Sequence, residues 1–236
     1  MPIAGSGPVS FSTIASLVKG SSTAQTSLNE SLVRYLAGVQ SGAISVSNFR
    51  NKPAAGSATY NTPGTYTFLC PAYQTLSVDV RGAGGGGAGG GAIAVLIPIN
   101  GDPGIVGGSS SFGSATSVIA GGGGGGNGSC YSGLIGTNGT GSGGVDQGAG
   151  GGSGGAGGLG ALIEATRYCS GLAGGIGNRQ TKSWTFASTA GYVVWGSSYT
   201  VVVGQGGAGG DGKFGITGSG ANGSAGANGS VTISWS

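Results

Sequence analysis

Glycine recurs at every third position along several stretches of this chain, and this period limits the folds open to it. Between Gly148 and Gly160 glycine occupies positions 148, 151, 154, 157 and 160, and positions 152, 155 and 158 form a second register. A polyproline-II-type backbone has three residues per turn, so this spacing leaves one face of an extended rod without side chains. A neighbouring backbone can approach that bare face closely. At a rise of about 3.1 Å per residue, the stretch predicts a rod of roughly 40 Å.

The same period returns elsewhere, so several rods could pack side by side. Gly206 to Gly218 keep it, and after a one-residue shift Gly220 to Gly229 keep it again. Two nearly pure runs, Gly84 to Gly91 and Gly121 to Gly126, satisfy any register. Because buried backbone groups need hydrogen-bond partners, each bare rod is expected to donate its N–H groups to the next. Shorter runs with this spacing are Gly101, Gly104 and Gly107; Gly133, Gly136 and Gly139; and Gly171, Gly174 and Gly177.

Two other states compete with a packed array of rods. Collagen is disfavoured because only Pro98 and Pro103 follow Arg81, and the shifts of phase interrupt a long triple helix. Disordered low-complexity chains are normally poor in apolar residues and rich in charge. Here 37% of the residues are hydrophobic and only 6% are charged, which favours a packed lattice over disorder.

The distribution of glycine divides the chain. Of its 60 glycines, seven lie in residues 1–81, which leaves 53 for the remaining 155 residues. The composition therefore changes near Arg81. Within the glycine-poor part, residues 1–52 carry two helical patterns, so we expect a small N-terminal unit over 1–52 and a glycine-rich domain over 53–236.

Residues 1–52 predict short helices. Ser10 or Ser12 can cap the first helix, Ile14, Leu17 and Val18 form an apolar stripe, and Gly20 ends it. The segment "TSLNESLVRYLAG" repeats the pattern, with Thr26 or Ser27 as cap, Glu30 at capping-box spacing, an apolar stripe through Leu32 and Tyr35, and Gly38 as the stop. A third short element contains Ile44, Val46 and Phe49. Helices this short bury too little surface to be stable alone, so they either cap the next domain or insert into a partner. We favour the partner.

Residues 53–236 predict strands alternating with glycine segments. After a linker, Pro63-Gly64 is a turn dipeptide within "TYNTPGTYTFLCP", which predicts a hairpin, and "QTLSVDVRG" alternates as a half-buried strand. Further β-branched and aromatic runs lie at 92–99, 110–120, 159–169, 183–188, 191–204 and 229–236. The predicted fold class is mainly β: a small helical unit, then β-sandwich strands alternating with polyglycine-II rods packed as a lattice.

The N-terminal segment is similar to a short motif found on many tailed-phage virion proteins. In that family a glycine-proline-(Ile/Val)-Ser-hydrophobic-Ser unit recurs and ends in Ser-hydrophobic-Ser-(Asp/Asn)-Phe-Arg. Residues 7–12, "GPVSFS", match the first copy and residues 45–50, "SVSNFR", match the last. The resemblance implies a virion component that docks to a tail-fibre or baseplate protein. The docking residues it suggests are Val9, Phe11, Ile14, Leu17, Leu32, Tyr35, Phe49 and Arg50.

The order of the remaining elements also resembles a phage family. Strands followed directly by "RGAGGGGAGGG" are similar to the tail-fibre tip adhesins of T-even-like phages, whose rods stack as a sandwich and whose loops touch the host surface. This likeness depends on composition and element order, and the N-terminal unit of this chain is not theirs. It implies a location in the virion, assembled in the host cytoplasm, and a receptor on the host surface that is either a protein or a glycan.

Other functions are disfavoured. Histidine is absent and the six carboxylates are far apart in the sequence, so we expect no enzyme activity, no cofactor and no metal. A net charge of +3 without a basic cluster does not favour nucleic-acid binding. The apolar run Ile93 to Ile97 is too short to span a membrane, and no secretory signal peptide is expected. A Cys130–Cys169 disulfide is possible, but cytoplasmic assembly would keep both thiols reduced.

The segments that interrupt the glycine runs are the candidate binding loops. Tyr, Trp and Arg supply contact area and bidentate hydrogen bonds in recognition, and loops held by a rigid scaffold are usual binding sites. For Trp195, Trp235 and Tyr199 we expect packing on the sheet instead. The candidate receptor-contact residues are Tyr131, Leu134, Ile135, Arg167, Tyr168, Arg179, Lys182 and Trp184.

Three functions follow for testing. The first is a phage adhesin, attached to a tail fibre or baseplate by residues 1–52, that binds a host surface receptor through loops between rods. The alternative is a purely structural virion protein, such as a spacer, decoration or assembly cap. A cellular glycine-rich wall or matrix protein is disfavoured by the expected lack of a signal peptide.

Overall fold

The fold is taken from a computed structural model of the whole chain. It describes residues 3, 5–39, 41–52, 54–94, 97–113, 118–127, 141–142, 145–160, 162–163, 166–167, 170–185, 193–216 and 218–236.

The N-terminal unit contains two α-helices and a 3-10 helix. Helix α1 (Phe11–Lys19) begins at Ser10, whose side chain accepts a hydrogen bond from Thr13 N, and ends at Gly20 with φ 70°, as predicted. Helix α2 (Ser31–Ala37) ends as predicted at Gly38, with φ 73°, but it begins later than expected. The prediction of a cap at Thr26 or Ser27 is wrong, because the Glu30 carboxylate accepts from Ser27 N and thereby closes a turn ahead of the helix. The 3-10 helix spans Val46–Phe49.

This helical unit packs on the strands of the same chain. Val33, Leu36 and Phe49 are buried in one continuous apolar core with residues of the sheets. The Tyr35 hydroxyl donates to the Cys70 carbonyl oxygen at 2.7 Å and so joins the unit to the end of a strand. Therefore the unit covers part of the next domain, which is the alternative to the favoured prediction that it inserts into a partner.

The described strands pair antiparallel, and ten of them form two five-stranded sheets. Sheet I has the order β1-β16-β3-β12-β9 and sheet II the order β2-β13-β6-β7-β8; three two-stranded hairpins are β4–β5, β10–β11 and β14–β15. The fold is mainly β, as predicted. The strands are β1 (Gly56–Tyr60), β2 (Gly64–Leu69), β3 (Thr75–Arg81), β4 (Ala92–Ala94), β5 (Ile97–Ile99), β6 (Ser110–Phe112), β7 (Val118–Ala120), β8 (Gly141–Ser142), β9 (Val145–Asp146), β10 (Leu162–Ile163), β11 (Thr166–Arg167), β12 (Arg179–Thr185), β13 (Ser198–Val203), β14 (Phe214–Gly215), β15 (Gly218–Ser219) and β16 (Ser230–Trp235).

The predicted hairpin around Pro63-Gly64 is wrong. Strand β1 pairs with β16 in sheet I, whereas β2 pairs with β13 in sheet II, so this turn carries the chain from one sheet to the other. The single runs predicted at 92–99, 110–120 and 159–169 each contain two short antiparallel strands. Alternation alone could not show where such runs reverse direction.

Aromatic side chains join the two sheets. The ring of Phe112 on sheet II lies 6.0 Å from that of Trp184 on sheet I, and the rings of Phe68 and Trp235 are 5.8 Å apart. Strand β3 alternates as predicted, with Leu76, Val78 and Val80 buried. As predicted, Trp195, Trp235 and Tyr199 pack on this core.

Beyond the sheets, the glycine segments form a hydrogen-bonded array around residues 82–90. The N–H groups of this central segment donate in turn to three neighbours: Gly82, Gly85 and Ala88 to segment 171–178, Ala83, Gly86 and Gly89 to segment 102–108, and Gly84, Gly87 and Gly90 to segment 220–228. Its carbonyl oxygens accept, again in turn, from segments 152–159, 121–127 and 205–213. Six segments therefore surround the central one, with a hydrogen-bond period of three.

Backbone bonds also close the ring of six. Segment 102–108 donates to 121–127 and to 205–213, segment 171–178 donates to 121–127 and 152–159, and segment 220–228 donates to 152–159 and 205–213. Two asparagines cover outward-facing groups: Asn222 Oδ1 accepts from Gly212 N at 2.8 Å, and Asn228 Oδ1 accepts from Gly206 N at 3.0 Å. Among the described residues, no group accepts from Gly209 N, which lies opposite Ala225 between these two contacts.

The central segment needs glycine because its neighbours are backbone. A Cβ added to Gly87 would lie 2.0 Å from the carbonyl oxygen of Ala156, and one added to Gly84 would lie 1.9 Å from that of Ser153. Real Cβ atoms do not come this close to another heavy atom. Every residue from 82 to 92 is buried.

Candidate functional site

The glycine array separates two ends of the molecule. At the sheet end, β3 leads into Gly82, which is bonded to Asn178 just before β12. At the other end, Gly90 donates to Ala221 and accepts from Lys213 N. The hairpins β4–β5, β10–β11 and β14–β15 connect segments there, and we call this the hairpin end.

The hairpin end exposes two large apolar side chains. Phe214 is 83% exposed and Ile216 is 72% exposed, the highest values among the large apolar residues that the structure describes. Soluble surfaces tolerate scattered apolar residues, but a fully presented aromatic with an adjacent aliphatic side chain is typical of a contact site.

The hairpin that carries them is held in place. Ile216 N donates to the Ile93 carbonyl oxygen of β4 at 3.0 Å, so two hairpins are joined. Lys213 N donates to Gly90 O at 3.0 Å, and its ammonium group contacts Asp102 Oδ2 at 2.6 Å. The apolar pair therefore stands on a fixed base.

The predicted receptor-contact residues do not form one site. Arg167 lies in β11, at the hairpin end, whereas Arg179 and Lys182 lie in β12, at the sheet end. The prediction for Trp184 is wrong, because its side chain is 2% exposed between the two sheets. Tyr131, Leu134, Ile135 and Tyr168 lie outside the described residues, as do Cys130 and Cys169.

Arg179 is part of an ion-pair cluster on sheet I. Its Nε and Nη2 donate to the two carboxylate oxygens of Asp79 at 2.9 and 3.0 Å, and Arg81 donates to the same carboxylate. Burial acts to raise the pKa of Asp79, but the hydrogen bonds from Arg179 and Arg81 outweigh it and hold that pKa below its ordinary value. The Asp79 hydrogen bond in turn raises the pKa of Arg179. The cluster supports the sheet, and Lys182 is likewise engaged, 5.2 Å above the Trp184 ring.

The predicted docking residues are mostly internal. Ile14, Leu17 and Phe49 are buried, and Val9, Leu32 and Tyr35 are half-buried against the same core. The Arg50 guanidinium donates to Gly5 O at 3.1 Å. Of this set, Phe11 alone is a largely exposed apolar residue, at 54%. Ile14, Leu17 and Phe49 are therefore not available to a partner.

The chemistry available elsewhere is limited. Within the described ranges, no three His, Cys, Asp or Glu side chains come together as a metal site. Cys70 is buried, and burial raises the pKa of its thiol to about 12, so the thiol stays protonated near neutral pH. None of the described helices is both long and apolar enough to cross a membrane.

No protein-family model, curated protein sequence or solved structure matches this chain.

Sequence reasoning missed Phe214 and Ile216. The signal was present in "DGKFGITG", where two large apolar residues stand among glycines that keep the period of three. The candidate loops are long segments with Tyr, Trp and Arg between the glycine runs, whereas the glycine period continues through Phe214 and Ile216.

Proposed function

We propose that the glycine segments are polyglycine-II rods packed as a lattice, and that sheets I and II form a β-sandwich from which the rods project. The supporting observation is the period of three in the hydrogen bonds of residues 82–90. Polyproline-II geometry has the same period. At about 3.1 Å per residue, the eight steps from Gly82 to Gly90 hold the two ends about 25 Å apart.

We further propose that the protein is a phage adhesin. The helical unit attaches it to a tail fibre or baseplate, and the hairpin end contacts a receptor on the host surface. One observation carries this proposal: a rigid, charge-poor array holds Phe214 and Ile216 in solvent, far from the sheets and the helical unit. A stiff spacer with an apolar tip suits a protein that binds a distant surface, because a rigid tip loses little conformational entropy when it binds.

The test is adsorption of virions that carry both Phe214→Ser and Ile216→Ser. Burial of a Phe or Ile side chain is worth about 1.5–3 kcal/mol, so loss of the pair should slow adsorption at least about tenfold. The matched control is Ile105→Ser with Val106→Ser. Those residues are similarly exposed, at 60% and 62%, but they lie along the array, where Gly86 N donates to Ile105 O.

Antibody labelling of each virion must first show equal incorporation. If the tip variant adsorbs like the unmodified virion, the hairpin end is not the contact. That result would favour the alternative of a purely structural virion protein.

A further inference from the structure

The net formal charge of this chain comes from its first 52 residues. There, Lys19, Arg34, Arg50 and Lys52 stand against the single carboxylate of Glu30, a net charge of +3. Residues 53–236 hold five cationic and five acidic side chains and are neutral. The helical unit is thus the cationic part of a molecule that is otherwise balanced, and it attracts acidic surfaces.

Most of these charges are already engaged. The Lys19 ammonium pairs with Glu30 Oε1 at 3.0 Å, Arg34 donates to Gly42 O, and Arg50 donates to Gly5 O. Lys52 differs, because no described carboxylate lies within 4 Å of its ammonium nitrogen and none of the hydrogen bonds of the described residues uses that atom. The residue is half-buried, and its ammonium group is free to pair with a carboxylate of another molecule.

Lys52 borders a cleft between the helical unit and the sheets. The cleft has a volume of about 410 Å³, within the range of about 300–1,000 Å³ that is usual for ligand sites. Its walls are Leu36 of α2, Ala55 of the connecting segment, Pro71, and the Trp235 ring of β16. The Tyr35 hydroxyl also borders it but already donates to Cys70 O. Among the described residues that line the cleft, Lys52 is the one with a charged side chain.

We propose that this cleft binds an acidic, apolar peptide segment of a partner protein. One aliphatic side chain fills the space against Leu36 and Trp235, and a neighbouring carboxylate pairs with the Lys52 ammonium group. The positive helical unit around the cleft steers such a segment toward it, and the neutral remainder of the chain does not compete. This assigns the chemistry of the partner in the proposed docking role of residues 1–52.

The test uses the purified full chain and two peptides, acetyl-Leu-Asp-Leu-amide and acetyl-Leu-Asn-Leu-amide. They match in shape and differ in one charge. Binding is followed through the NMR signal of the Trp235 indole N–H, which is assigned with Trp235→Phe. The Asp peptide should move this signal and bind at least about fivefold tighter than the Asn peptide, and 0.5 M NaCl should reduce that ratio because salt screens the attraction.

Two variants locate the preference. Lys52→Gln should abolish the difference between the peptides, whereas Lys182→Gln, which removes the same charge from β12, should leave it unchanged. Ala55→Trp should block both peptides by filling the cleft. Equal binding of the two peptides, a preference that survives Lys52→Gln, or no movement of the Trp235 signal would each overturn the proposal. The adsorption experiment at Phe214 and Ile216 uses the other end of the molecule, so its outcome is independent.

Discussion

Substitution of a single central glycine tests whether the array is a packed structure. In Gly87→Ala the new Cβ would stand 2.0 Å from the Ala156 carbonyl oxygen, where ordinary contact begins at about 3.4 Å. Segment 152–159 must then move outward by more than 1 Å. That displacement stretches three bonds that hold it to the central segment: Gly152 N, Gly155 N and Gly158 N to the oxygens of Gly82, Gly85 and Ala88, at 2.7, 2.8 and 2.7 Å.

The cost follows from these bonds. At about 1 kcal/mol for each, their loss costs about 3 kcal/mol. Alanine also restricts the unfolded chain, which returns about 0.4–1 kcal/mol. We expect a net loss of about 2–3 kcal/mol of unfolding free energy, or about 4–12 °C in Tm for a chain of this size.

Thermal and urea unfolding, followed by tryptophan fluorescence, measure the change. The matched control is Gly150→Ala, where the three nearest atoms are Cβ, Cδ and Cγ of the Arg179 side chain at 3.0 to 3.6 Å and none is backbone, and we expect a change within about 1 kcal/mol. If Gly87→Ala is as stable as the unmodified protein, or more stable, then the segments do not pack as described. In that event the only effect of the substitution would be that alanine lowers the conformational entropy of the unfolded chain.

Two further predictions concern single contacts. Ala225→Asn should add an acceptor for Gly209 N and raise the free energy of unfolding by about 0.5–1 kcal/mol. Asn222→Ala should leave Gly212 N without its side-chain acceptor and lower the free energy of unfolding by a similar amount. A higher Tm for Asn222→Ala than for Ala225→Asn would contradict this. Because the pKa of Asp79 is lowered in the folded state, its contribution is complete above the ordinary carboxyl pKa of about 3.9 and is lost as the pH falls through the lower folded value. Asp79→Asn should therefore cost on the order of 1 kcal/mol at pH 7, and unfolding curves of the two proteins should converge below about pH 4; a difference independent of pH would show that the ion pairs contribute nothing.

Local chemistry accounts for what could be predicted element by element. Ser10 and Gly20 fix the ends of α1, because a side-chain acceptor at one end and a left-handed residue at the other satisfy groups within a few residues. Strand β3 was predictable for the same reason, since Leu76, Val78 and Val80 alternate on one buried face. The start of α2 was not, because Glu30 accepts from Ser27 N as it would in a capping box, yet that turn precedes the helix, which begins at Ser31.

The candidate site depended on long-range placement. Arg167 and Arg179 are close in sequence and both were predicted to contact a receptor, yet segment 171–178 runs the length of the array between them and puts them at opposite ends. Trp184 satisfied every local criterion for a contact residue, but it pairs through β12 with β3 and its ring faces the core. Residue type alone could not distinguish an exposed aromatic from one buried between two sheets.

By itself, the sequence determined that glycine returns every third residue and therefore that extended segments could approach one another without side chains between them. Only the tertiary structure decided which segment lies at the centre. Residues 82–90, 121–126 and 152–158 all satisfy the glycine requirement, and a backbone without side chains carries no label that distinguishes one neighbour from another. The choice is made where each segment joins its strand, because the paired registers of sheets I and II fix the order in which the segments leave the sheets and return.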